Sequence, residues 1–437
     1  MKFATKIDEV LKAFSPEALL ENNIEEFYYD GTMTSRLGDD EGVSPIDDIY
    51  DSCTSMPKSA YLLLGHRGCG KTTELKMLKK RLKENGYLVE DISVSTDMDM
   101  MSPAVWDLLV LIAEKLLNIA NEINCRIDDS TLNSLKNFFD EEEVIKEFVK
   151  EKSGSFEVGA SAGGLLRIIN LFGKLSGEVK VGGTTKTVIR KAVEKKGASV
   201  WISYVNKIAD AIAEKSEGKR PVLIVEDFDK ADPALVRDLF YGYATTLSSM
   251  SFHIVYTFPI SLSYHADFTS ITGYFSYKTL PMIKIKYPNG GKYTDGTAAI
   301  EEIIKKRALI DLFADGVIEL IIKKTGGALR DLFGVIINAG KRANRRKSNV
   351  IEIEDAERAL IELKSELTRK IDGDDYPFLI NIINAKNKQK TDNREHLLRM
   401  MQALVVLEYN GDHWHDVHPL VSDFLMEESV MDEKKTN

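Results

Sequence analysis

Cysteine is scarce: Cys53, Cys69 and Cys125 are the three in a chain of 437 residues. So few thiols over that length exclude a disulfide framework and fit a reducing compartment, the cytoplasm. Long hydrophobic runs are missing as well. No uninterrupted apolar stretch approaches the roughly 18–20 residues that span a bilayer, so no membrane association is expected. The opening MKFATKIDEVLKAFSPEALL mixes charge with apolar residues at helical spacing and lacks the unbroken core of a signal peptide. Basic charge is not in excess either: 58 Lys and Arg face 68 Asp and Glu, a net charge of −10. That balance argues against binding nucleic acid over the whole surface and leaves room for a local basic site. What is present is apolar bulk, 43% of residues, enough to bury real cores and to exclude a disordered chain. The length suggests about three domains.

From residue 60 the pattern alternates. AYLLL (60–64) is a short apolar run ending at glycine; TELKMLKKRLKENG follows, with Leu75, Leu78 and Leu82 on one helical face and Gly86 as a left-handed stop. YLVEDISVS (87–95) reads as a second strand, and Ser102–Pro103 as the cap and first turn of a helix over AVWDLLVLIAEKLLNIANEI. Residues 130–152 are charged and helical in pattern, and 153–186 are glycine-rich around an apolar core, GLLRIINLFGKL. That stretch fits a partner-binding arm, a pore loop, a DNA contact or a hairpin folded onto its own domain. A helix over about 197–216 leads to the strand PVLIVED. A helix around 232–249 leads to the strand SFHIVYTF (251–258), and 274–287 supplies the last strand. This alternation predicts an α/β layer with a mainly parallel sheet. From 298 to about 370 the pattern is helical. The end reads as helix, strand, Asn410-Gly411 turn, strand, helix.

The sharpest chemical signal is Gly65-His66-Arg67-Gly68-Cys69-Gly70-Lys71-Thr72, a full G-x-x-x-x-G-K-T between an apolar strand and a helix. Its glycines let successive backbone N–H groups turn inward around phosphate oxygens, and the helix N-terminus adds partial positive charge. Lys71 is placed to bridge the β- and γ-phosphates, and Thr72 to ligate Mg²⁺. The second motif is Val222-Leu223-Ile224-Val225-Glu226-Asp227-Phe228-Asp229, a buried strand delivering acids at its carboxyl end. Those acids belong opposite Lys71, where the metal and the attacking water sit. By position Glu226 takes the metal role and Asp227 the base role, an order that is open to exchange; Asp229 braces the loop.

With these residues in place the chain resembles the AAA+ ATPases, in the branch shared by origin-recognition initiators and STAND signalling ATPases. The resemblance implies a P-loop NTPase fold of the ASCE type: a three-layer α/β core with a parallel sheet, an α-helical lid and a C-terminal winged-helix-like domain. It implies a lead-in at 1–58 bordering the nucleotide and a core at 59–290 with an insertion at about 130–200. The lid follows at 298–370 and the winged-helix-like domain at 371–430. Thr257 matches the polar sensor-one position beside the γ-phosphate. Gly326-Gly327-Ala328-Leu329-Arg330 resembles the sensor-two segment, whose arginine reaches back to the nucleotide. Phe27 to Arg36 is similar to the segment that borders the adenine. The implied catalytic set is Lys71, Glu226, Asp227, Thr257 and Arg330. The nucleotide-contacting set is Gly65, His66, Arg67, Gly68, Cys69, Gly70, Lys71, Thr72, Thr73 and Arg36, with Thr72 and Glu226 on Mg²⁺.

The implied activity is ATP hydrolysis to ADP and phosphate. The stretch after Thr257, PISLSYHADFTSITG, contains no arginine where this family offers a finger to its neighbour. Arg237 and Arg307 are the substitutes, and an absent finger implies slow turnover, by about 10³–10⁵. The resemblance implies a regulatory ATPase that forms a homo-oligomer or assembles with an effector such as a nuclease, in the manner of anti-phage defence modules. Two alternatives stand beside it. One is a DNA-binding initiator or loader acting through the winged helix and the basic cluster Lys341, Arg342, Arg345, Arg346 and Lys347. The other is a small-molecule P-loop kinase, disfavoured by the helical lid. His413, His415 and His418 do not converge on one metal along a strand and read as a surface hairpin.

Overall fold

The computed structural model describes residues 2–15, 24–37, 44–99, 101, 103–140, 162–181, 190–191, 194, 197–385, 394–409 and 414–436. Five parallel strands form the central sheet: β1 (Ser59–Gly65), β2 (Val89–Ser93), β3 (Val222–Glu226), β4 (His253–Pro259) and β5 (Ser276–Thr279). Their order is β2-β3-β4-β1-β5. β3 and β4 are buried along their whole length, which is why they read as continuous apolar runs rather than alternating ones. The register sets Leu63 of β1 opposite Thr257 of β4, and Val225 of β3 opposite Tyr256. The carboxyl ends of β1, β3 and β4 therefore lie side by side, carrying the P-loop, the acids and Thr257 to one edge.

Helices cover both faces. α1 (Thr32–Leu37) and α2 (Pro45–Ser55) precede the sheet. α3 (Lys71–Glu84) leaves the P-loop with Leu75, Leu78 and Leu82 buried on one stripe, and Gly86, at φ +75°, turns the chain out of it. α4 (Val105–Glu122) begins later than the Ser102–Pro103 signal. Asp107 reaches back to accept from the Ala104 N–H at 3.2 Å and so fixes the first turn there, while Ser102 lies outside the described residues.

Between β2 and β3 come α5 (Asp129–Asp140), α6 (Ala162–Val181) and α7 (Ala198–Lys215). α6 corrects one reading of the glycine-rich stretch, the hairpin, because its apolar core is a helix packed on α4. Ile168, Leu171, Phe172, Leu175 and Val179 recur at helical spacing and are buried; that stripe outweighs the cost of glycine in a helix, about 1 kcal/mol each. Phe172 lies 5.8 Å from the buried Trp201 of α7, whose indole N–H donates to the Leu109 carbonyl at 3.0 Å. Residues 153–161 and 182–186 lie outside the described residues.

α8 (Pro233–Gly242) links β3 to β4. The helices α9 (Thr294–Lys305), α10 (Val317–Thr325), α11 (Leu329–Arg345) and α12 (Ile353–Thr368) then form a bundle beside the sheet. The N-terminal residues pack on it: Ala4 bridges Ala308, and the Phe14 ring meets Phe333 edge-on at 5.7 Å. α13 (Tyr376–Asn384) and α14 (Arg394–Gln402) follow. The antiparallel pair β6 (Val406–Tyr409) and β7 (Trp414–Val417) comes next, then α15 (Pro419–Thr436). The expected surface hairpin is in fact buried, every residue of β6 and β7 included. Its polar residues meet one another and the core: the Tyr264 hydroxyl donates to Glu408 at 2.6 Å, His415 Nε2 lies 2.9 Å from that hydroxyl, and Lys286 pairs with Asp416 at 2.5 Å. His418 is buried beside Asp331, and the Asn410-Gly411 turn and His413 lie outside the described residues. Among the described residues no helix is long and apolar enough to cross a membrane.

Candidate functional site

The P-loop closes around its own lysine. Lys71 Nζ donates to the carbonyls of Gly65 and His66 at 2.9 and 2.8 Å and pairs with Asp229 at 3.0 Å, both side chains nearly inaccessible. Burial alone would lower the ammonium pKa; the Asp229 carboxylate outweighs it and raises it. Gly68 and Gly70 adopt φ +84° and +110°, the left-handed backbone that the turn requires. A Cβ on Gly68 would sit 2.6 Å from Arg330 Cβ, and one on Gly70 would sit 3.2 Å from an Arg36 nitrogen. The glycines thus admit two arginines onto the loop, Arg330 from α11 and Arg36 from the N-terminal segment. Cys69 and His66 are buried within it.

The acids at the end of β3 diverge. Glu226 is 8% exposed and lies by Thr72, whose hydroxyl favours its charged form; its Oε2 has no hydrogen-bond partner among the described residues. Burial, helped by Asp91 and Asp227, pushes its pKa up to about 7 against the pull of Thr72 and Lys76. Thr72 and Glu226 are thus together, a hydroxyl and a carboxylate with an open oxygen, a donor set that suits Mg²⁺ completed by phosphate and water. Asp227 turns away at φ +79°. Its carboxylate accepts from Ser93 at 2.7 Å and from Ser95, and pairs with Lys230 at 2.5 Å. Burial pushes its pKa up, and these partners bring it net down. Thr257 lies one residue beyond the Val225–Tyr256 pair, level with Glu226; it is 1% exposed and its hydroxyl has no partner among the described residues.

A cavity of about 590 Å³ opens on this loop. Gly68, Gly70, Lys71, Thr72, Thr73, Arg67 and Asp229 line one side. Leu329, Arg330 and Phe333 of α11 and Ile303 of α9 line another, and Phe27, Tyr28, Tyr29, Thr32 and Arg36 come from the N-terminal segment. Arg36, 1% exposed, donates to the carbonyls of Cys69 (2.6 Å) and Pro281. It therefore braces the P-loop end of the cavity, whereas the resemblance put it beside the adenine. Glu74 of α3 accepts from Tyr28 at 2.8 Å and Thr32 at 3.2 Å, fastening the same segment to the P-loop helix. Arg330 is half-buried; burial and Arg67 lower its pKa against the pull of Asp229 and Asp331.

Arg307 requires a correction. As a finger offered to a neighbour it should be exposed, yet it is 6% exposed inside this chain's own cavity, stacked 4.9 Å over Phe333. Arg237 stays at the surface beside Asp238. In the basic cluster, Arg342 pairs with Glu362 and Arg346 with Asp355. Motif reading also missed a contact behind the loop: the Glu408 N–H of β6 donates to His66 Nε2 at 2.8 Å, and Tyr409 donates to the Gly326 carbonyl at 2.6 Å. No sequence period signals such pairs, which lie 342 and 83 residues apart.

No family model and no curated protein matches the chain. Among solved structures it is similar to the Aeropyrum pernix ORC1 protein in complex with DNA, at 12% identity over 97% of each chain with a TM-score of 0.38. It is similar to Cdc6p from Pyrobaculum aerophilum at 11% identity over 98% of this chain and 100% of that one, TM-score 0.38. A Thermotoga maritima RuvB variant, T158V, shares 10% identity over 95% and 98%, TM-score 0.36.

Proposed function

We propose that this chain is an AAA+-type regulatory ATPase that binds ATP with Mg²⁺ in the 590 Å³ cavity and hydrolyses it to ADP and phosphate. The observation that carries the reading is the packing of lid Arg330 directly on P-loop Gly68, with Lys71 and the Thr72–Glu226 pair beneath. A triphosphate laid along the loop takes the backbone N–H groups at the start of α3, and its charge replaces Asp229 as the partner of Lys71. Thr72 and Glu226 would hold Mg²⁺, which supplies neutralising charge on the phosphates when bound. Arg330 adds a guanidinium from the lid, so the nucleotide joins core and lid through one ligand.

Hydrolysis requires a water to attack the γ-phosphorus as the bond to the β–γ bridging oxygen breaks. Asp227, which follows Glu226 in the chain, takes the base role, and to accept that water's proton it must exchange its bonds to Ser93, Ser95 and Lys230. Thr257, whose hydroxyl has no partner among the described residues, would hold the water or a phosphate oxygen. With Arg307 removed as a finger, Arg237 is the remaining candidate, and turnover in isolation is slow. The C-terminal hairpin touches both His66 and the lid Gly326, which gives the cycle a route to an oligomer interface or a partner effector. A nuclease partner and a role in anti-phage defence rest on the family resemblance.

Phosphate release by wild type, Lys71→Ala and Asp227→Asn tests this. The expected pattern is slow release by wild type, loss of binding and release in Lys71→Ala, and retained binding without release in Asp227→Asn. Release that survives both substitutions overturns it.

A further inference from the structure

The cavity has a second end. Away from the P-loop it is walled by Phe27, Tyr28, Tyr29, Ile303 and Phe333, an aromatic and aliphatic lining suited to a flat ring, beside the cation Arg307. The guanidinium carbon lies 4.9 Å from the Phe333 centroid. Nη1 donates to the carbonyls of Ile303 at 2.9 Å and Phe27 at 3.3 Å. An arginine at the end of a helix is commonly tied to its last carbonyls in this way. Here that tie uses two of the five N–H donors and leaves those of Nε and Nη2 uncommitted; Nε is buried with no partner among the described residues. No carboxylate pairs with Arg307 among the described residues, and burial alone lowers its pKa to about 10. A buried guanidinium without an anion, with open donors, fixed against a ring and bordering a cavity, is costly unless a ligand supplies acceptors.

We infer that Arg307 reads the base of the bound nucleotide, donating to the ring-nitrogen acceptor of a purine while that ring lies among the aromatic walls. This rests on the nucleotide reading of the cavity and names its selectivity. Purines present N7 to such a donor, guanine adds O6 beside it, and cytosine presents an amino group on the equivalent edge. The site therefore favours purine over cytosine triphosphates and does not exclude guanine.

Calorimetric titration of the full chain with ATP, GTP, CTP and inorganic tripolyphosphate, for wild type, Arg307→Met and Arg307→Lys, tests it. Wild type is expected to bind ATP and GTP at least tenfold tighter than CTP. Arg307→Met should bring ATP and GTP down at least tenfold, to the level of CTP, with tripolyphosphate affinity unchanged. Arg307→Lys keeps the charge and a carbonyl bond without the planar fork. It should show the same loss of purine preference and serves if the Met variant does not fold, which its melting curve reports. Unchanged ATP affinity in both variants overturns the inference, as does an equal loss of ATP and tripolyphosphate. A wild-type chain that binds tripolyphosphate but ranks the three nucleotides alike overturns it while sparing the phosphate site. One that binds none of the four overturns the nucleotide reading itself and the inference with it.

Discussion

Acid should loosen the joint between the P-loop and the C-terminal hairpin, and His66 sets the size of the effect. Its ring is 1% exposed and Nε2 accepts the Glu408 N–H at 2.8 Å, so the native state needs that nitrogen unprotonated. Burial first, then Lys71 and His415, lower its pKa to about 4 against the pull of Glu408, while an unfolded histidine titrates near 6.5. Between those values the unfolded chain binds a proton that the folded chain refuses, so stability falls as pH falls. The gap predicts a loss from His66 of about 2 kcal/mol on going from pH 7 to pH 5 and about 3 kcal/mol by pH 4. His66→Asn offers an amide oxygen to the same N–H and cannot titrate. Denaturant unfolding of wild type and variant from pH 7.5 to pH 5 isolates the term, because His253, whose pKa burial also lowers to about 4, is common to both. The variant should match wild type within about 1 kcal/mol at pH 7 and gain on it by about 2 kcal/mol at pH 5. Parallel curves for the two proteins would refute the reasoning.

Other consequences are separable. Glu226→Gln should reduce nucleotide stabilisation in Mg²⁺ to the level that wild type shows in EDTA, measured as melting shifts in the two buffers. Gly68→Ala meets a left-handed φ and the Arg330 side chain at 2.6 Å; it should destabilise the free protein by about 1–3 kcal/mol and weaken nucleotide binding, read by melting and calorimetry. Arg237→Ala, at a residue outside the cavity lining, should leave the ATP dissociation constant unchanged in the same titration while lowering the protein-concentration dependence of turnover.

Much of the core was legible because its signals are local. The eight positions of the G-x-x-x-x-G-K-T loop and a strand ending in acids are short enough to carry their own geometry, and the parallel sheet leaves β3 and β4 as unbroken apolar runs. What escaped depends on distant neighbours. The hairpin reads as surface because Glu408, His415 and Asp416 are polar. It is buried because Tyr264, Lys286 and the Met282–Tyr409 bridge satisfy it from elements more than a hundred residues away. Arg307 looks like any helix-end arginine until Phe27 and Phe333 fold around it. Asp227 looks like a free base until β2 brings Ser93 alongside, and the glycines of 162–181 conceal a helical stripe that only α4 and α7 reveal.

Binding of ATP with Mg²⁺ to wild type and Lys71→Ala, followed as ligand-induced stabilisation, bears most directly on the phosphate site. At ligand 100-fold above Kd, wild type should gain about 2.7 kcal/mol and Lys71→Ala should gain none. No gain in wild type, or equal gain in both proteins, would contradict the account.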